Sequence, residues 1–177
     1  METLKTLILK EHSKAQALFI ADLIYQKPEL VDELIAFTFA QTEPLSRRAA
    51  WPLRIIQEQY PELLKDKIDQ IIIHLKENHD FAVLRNVLAL LISAKIPTEQ
   101  QGFLLDYTTK IVLDQKSPVA VLVHASDLYI KLADREISLI NELILMLDQL
   151  RPVKSGGIKA KLTHIYKYLN RLEAHQK

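Results

Sequence analysis

The stretch Asp80-Phe81-Ala82-Val83-Leu84-Arg85-Asn86-Val87-Leu88 decides the fold, because a segment of the same polarity and size returns about every 37 residues. Trp51, Leu88, Ala125 and Leu162 form one column at that spacing, and Ile55, Ile92, Tyr129 and Tyr166 form another. Leu84 leads to Val121 and Ile158, while Pro52, Ala89, Ser126 and Thr163 keep a fourth column small. Columns that hold polarity and volume over three periods mark stacked copies of one supersecondary unit. Within a copy, Leu84, Leu88, Leu91 and Ile92 fall at i, i+4, i+7 and i+8, the apolar stripe of a helix that faces a core. Val121, Ala125, Leu128 and Tyr129 repeat that stripe in the next layer.

Outward from these segments the chain reads as helix throughout. Three glycines occur in 177 residues, and no run alternates β-branched with polar residues. Ser13-Lys-Ala-Gln16 and Thr98-Glu-Gln-Gln101 have the form of capping boxes, in which the Ser or Thr oxygen and the Gln side chain each satisfy a free N–H. Asp80, Ser117 and Ser155 recur as N-cap candidates, and Pro118 suits a first turn because its missing N–H costs nothing there. Pro28-Glu29 and Pro61-Glu62 open further helices with a carboxylate near the positive end of the helix dipole. The spacing predicts helices over 13–26, 28–40, 46–59, 61–77, 80–95, 98–115, 118–133, 136–150 and 156–175. A segment over 2–10 is free to run into the first of them. Short connections make neighbours antiparallel hairpins. Pro52, inside a predicted helix, is expected to remove a backbone bond and kink the axis.

Ser46-Arg47-Arg48-Ala49-Ala50-Trp51 and the segment 80–88 resemble the start of the second helix of HEAT repeats, where Asp precedes Val-Arg with small and leucine positions behind. Ser117-Pro118-Val119-Ala120-Val121-Leu122 continues the series with Leu122 in place of Arg, and Ser155-Gly-Gly-Ile-Lys159 puts Lys there. The resemblance covers roughly 13–175 as four or more degenerate units, with a period at the short edge of the HEAT and armadillo range. It implies an all-α, right-handed solenoid of antiparallel helix pairs, in a single domain spanning 1–177. It also implies a concave face lined by second helices.

Composition bounds the function. Hydrophobic residues at 49% and charged residues at 25% fit a globular chain, and no apolar run approaches the ~20 residues of a membrane span. The segment Met1–Lys10 carries Glu2 and no small-residue cleavage site, so a cytoplasmic location is expected and no membrane partner. Cysteine is absent, which removes thiolate metal sites and cysteine nucleophiles. Net charge is +1, yet seven of the ten cations in 116–177 lie after Leu150.

Three groups of residues are candidates for contact with a partner. The column Arg48, Arg85, Leu122, Lys159 would set a ridge of cations on the second-helix face, suited to acidic segments. Its alternative is a structural ladder in which each cation pairs with a loop carboxylate such as Asp80 or Asp114. Trp51 beside Arg47, Arg48 and Arg54 has the composition of a binding hot spot, but it also occupies a core column. The basic end holds Arg151, Lys154, Lys159, Lys161, Lys167, Arg171 and Lys177, with Tyr166 and Tyr168. Lys154-Ser155-Gly156-Gly157 could hold an anion at a helix N-terminus, or the lysines could serve only to solubilise a terminal repeat.

No catalytic constellation is found. His74 and His79 lack the spacing of the helical zinc motif, and His124 with Asp127 one turn on has no elbow serine. No phosphate loop occurs, and neither a cofactor nor a metal is expected. HEAT-like DNA glycosylases use several aromatics and a catalytic Asp in a cationic groove, and neither Trp51 nor Asp127 matches that pattern by motif. The signature loop of the all-helical fumarase and adenylosuccinate lyase superfamily has no counterpart. The sequence therefore points to a non-enzymatic scaffold that binds a protein or peptide partner through Arg48, Arg85, His124, Lys159 and Lys161. The alternative is nucleic-acid binding through the basic C-terminal helix.

Overall fold

The computed structural model describes residues 2–77, 80–150, 152 and 155–175. Among them are ten α-helices and no strand, in agreement with the all-α reading. They are α1 (Leu4–Lys10), α2 (Lys14–Gln26), α3 (Val31–Thr38), α4 (Leu45–Gln59), α5 (Ile68–Leu75), α6 (Phe81–Ser93), α7 (Thr98–Leu113), α8 (Val119–Ala133), α9 (Ile137–Leu150) and α10 (Ser155–His175). The chain groups into two compact units, Met1–Pro97 and Thr98–Lys177.

In the first unit α4 is the hub, packed by α1, α2, α3 and α6. Its core includes Ile20, Ile24, Leu34, Leu53, Ile56 and Leu88, each at most 1% exposed. The predicted cap at Asp80 is present: its Oδ1 accepts from the N–H groups of Ala82 at 2.7 Å and Val83 at 2.9 Å. Ser13 caps α2 by accepting from the Gln16 N–H, but Gln16 does not complete the expected box. Its Nε2 instead donates to the Leu7 carbonyl of α1 at 2.8 Å. The first segment also does not run into α2, because the chain turns extended at Glu11 (φ −152°, ψ 150°). Buried Leu4, Leu7 and Ile8 then hold α1 in place as a separate helix.

The predicted helices 28–40 and 61–77 both begin with a tight 3₁₀ turn, Pro28–Leu30 and Pro61–Leu63. Proline fixes its own φ and drives the residue before it out of the α region, as Lys27 (ψ 72°) and Tyr60 (ψ 54°) show. After Pro61 the i→i+3 bonds persist through the Leu64–Lys67 turn, so α5 starts only at Ile68. α4 runs through Pro52, which is buried.

The second unit is a bundle of α7, α8, α9 and α10, with α8 packed by the other three. Val121, Ala125, Leu128 and Tyr129 of α8 are buried as the stripe requires, and so are Ile158, Leu162 and Ile165 of α10. Tyr166, at the end of its column, is 42% exposed. Gly157 lets α10 approach α8 closely, because a Cβ at that position would collide with the Val119 side chain. α8 ends on Asp134 in the left-handed region (φ 41°), a conformation that Asp tolerates through its short polar side chain.

Burial pushes the Tyr107 and Tyr129 hydroxyls up to about 12, with the Glu142 carboxylate adding to the effect at Tyr129. A folded-state value above the ordinary 10 means that the folded state resists ionisation. The stability this reflects is complete below pH 10 and is lost as pH rises through about 12. A thermal series between pH 9 and pH 12 is expected to show a falling Tm above pH 10, with tyrosinate absorbance rising together with unfolding. Replacement of Tyr129 by Phe should lessen the decline.

Candidate functional site

The structure separates the five candidate residues by role. Arg48 is half-buried on α4, and its Nη1 donates to the Leu9 carbonyl at 2.6 Å, closing the C-terminal end of α1. Arg85 on α6 is exposed and has no ion-pair or hydrogen-bond partner among the described residues. Leu122, which follows Arg85 in the column, is fully buried in the core of the second unit. Lys159 on α10 is exposed, and its side chain is likewise without a partner among the described residues. Among the described residues, the ladder of cations on loop carboxylates is therefore not formed at Arg85 or Lys159. Asp80, the nearest expected partner, presents Oδ1 to its own helix as a cap.

Trp51 is half-buried, with the His12 ring edge-on at 5.7 Å between centroids. It neither lies in the core like Leu88 nor stands free on the surface. Within the basic end, Arg151, Lys154 and Lys177 lie outside the described residues, so the anion cradle expected over Lys154-Ser155-Gly156-Gly157 is described only from Ser155, the first residue of α10, onward. Lys167 and Arg171 are exposed on α10. Among the described residues no group of three or more His, Cys, Asp or Glu could hold a metal ion, and no helix is long and apolar enough to cross a membrane.

Lys161 is the candidate whose surroundings differ most from expectation. It is 7% exposed, and its Nζ bonds Asp127 Oδ1 of α8, one half-buried carboxylate facing one buried ammonium. The pair borders a cleft of about 510 Å³ between α8 and α10, which Val123, Gly157, Ala160 and His164 complete. His124, one turn before Asp127, is half-buried on the same helix.

The sequence carried a signal for this site in two further columns of the 37-residue period. Ala50 and Val87 are followed by His124 and Lys161; Leu53 and Leu90 are followed by Asp127 and His164. In the first unit all four positions are core, at most 1% exposed. In the second unit both columns turn polar together.

Hairpins of amphipathic helices recurring at a fixed period, with buried columns in register, define an all-α helical-repeat protein. The model of a HEAT repeat domain matches residues 4–169, and the chain belongs to that family. No curated protein and no solved structure matches it.

Proposed function

We propose that this HEAT-repeat chain is a non-enzymatic scaffold that binds an acidic segment of a partner protein on the concave, second-helix face. The observation that carries this reading is Arg85, an exposed guanidinium on a second helix with no carboxylate partner among the described residues. A free guanidinium on a rigid helix offers a forked set of donors to a partner carboxylate at little ordering cost. Lys159 presents the same charge in the second unit. His124, half-buried on α8, and Lys161, buried on α10, supply further polar groups of the second unit, and Arg48 contributes the donors that Leu9 leaves unused.

The test reverses Arg85 and Lys159 to Glu and leaves Arg48 alone, because reversal of Arg48 would also release α1. The wild-type protein and the double variant are used as bait in nuclease-treated lysate. A defined protein retained by the wild type and lost by a variant of unchanged Tm is the expected result. Equal retention by both would overturn the reading.

The alternative, nucleic-acid binding through α10, rests on exposed Lys159, Lys167 and Arg171 with exposed Tyr166. It requires duplex affinity that falls steeply with salt, as counterion release dictates. Partners that disappear on nuclease treatment would favour it over the protein scaffold.

A further inference from the structure

Two columns that are core in the first unit turn polar in the second, where Lys161 is buried, His124 and Asp127 are half-buried and His164 is exposed; the buried lysine calls for a reason, since stability alone favours an apolar side chain there. A buried ion pair is often matched or bettered by packed hydrophobic residues of similar volume. Leu53 and Leu90, fully buried in the first unit, occupy the positions that Asp127 and His164 hold in the second. Positions at which a repeat breaks its own core pattern are where function is expected.

The chemistry of the cleft is specific. An ammonium has three N–H donors and no acceptor. Lys161 is nine-tenths buried and uses its Nζ on one partner, Asp127 Oδ1, among the described residues. Its remaining donors need acceptors, and the 510 Å³ cleft that it lines is where those acceptors can come from. Asp127, 39% exposed at its side chain, keeps a second carboxylate oxygen able to accept. Donor and acceptor thus stand side by side, and their charges offset each other. A lone anion entering the cleft meets the Asp127 carboxylate, and a lone cation meets the Lys161 ammonium. A neutral group that offers a C=O and an N–H together satisfies both. Val123, Ala160 and the bare backbone of Gly157 provide the apolar remainder of the wall, and the volume lies within the ~300–1,000 Å³ typical of binding pockets.

We propose that the α8–α10 cleft binds peptide amide groups of a partner chain, with Lys161 donating to a carbonyl and Asp127 accepting from an N–H. This rests on the partner-binding reading above and gives it a second, uncharged point of recognition. The test uses the full chain, ¹⁵N-labelled, titrated with three small probes of matched size: N-methylacetamide, acetate and methylammonium. N-methylacetamide is expected to give saturable amide shifts confined to Gly157, Ala160, Lys161 and His164 that change little with salt, while the two ions give none. Lys161→Met should weaken that response by about tenfold, the loss of one charge-assisted hydrogen bond, and Glu99→Gln, on an exposed position of α7, should leave it unchanged. An equal or stronger localised response to acetate or methylammonium would overturn the proposal, as would no localised response to N-methylacetamide. The comparison of probes on the wild-type chain decides the matter even if Lys161→Met does not fold. Failure of the Arg85 and Lys159 reversal to release a partner would sink the scaffold reading without altering the probe result, so the two failures are distinguishable.

Discussion

Leu88→Ala is expected to lower the unfolding free energy by about 2–5 kcal/mol, the range for removing a buried leucine side chain beyond Cβ. Leu88 is fully buried on α6, the helix that packs on the hub α4. The space it vacates is bounded by two regular helices with few ways to collapse into it, which favours the upper part of that range. For a unit of this size the loss corresponds to a fall in Tm of roughly 8 °C or more. Arg85→Ala, three residues away on the exposed side of the same helix, provides the contrast and should stay within about 0.5 kcal/mol of wild type. Equal effects at the two positions would show that the assignment of helix faces is wrong. Denaturant unfolding of the two variants beside the wild type measures both.

Asp127→Leu is expected to have the second-largest effect, because it strands the Lys161 ammonium. Breaking a fully buried pair on one side costs about 3–5 kcal/mol. Asp127 is more than a third exposed, so solvent screens part of the interaction and about 2–3 kcal/mol is the better expectation here. The double variant Asp127→Leu/Lys161→Met should recover most of that loss, since it restores the apolar pair that Leu53 and Val87 represent in the first unit. A double variant no more stable than the single one would mean that the cleft cannot accept an apolar filling. With that recovery, stability and binding move in opposite directions: the double variant should be stable yet lose its response to N-methylacetamide.

Much of this architecture was legible in the chain because it is written as repetition. The columns through Leu84, Leu88 and Asp80 needed only the helical period and the rules of capping, and burial and cap geometry agree with both. What the sequence concealed was tertiary in origin. Nothing local says that Gln16 prefers the Leu7 carbonyl to its own capping box, because that choice depends on α1 docking nearby. Arg48 and Arg85 share a column and a residue type. Only the presence of α1 beside α4 turns the first into a structural clamp while the second stays exposed. Lys161 suggested a surface cation because lysine is rarely buried, and its partner lies 34 residues away on another helix. Columns read for their polarity as well as for their size would have exposed it.

The edge-on contact between His12 and Trp51 makes the chain its own spectroscopic gauge. Trp51 is the sole indole, so all tryptophan emission comes from one known place, where the extended link after α1 brings His12 against α4. Its emission should therefore shift once α1 lifts away and the half-buried indole meets water. A denaturant jump followed in a stopped-flow cell could then time the departure of the first helix separately from the melting of everything beneath it.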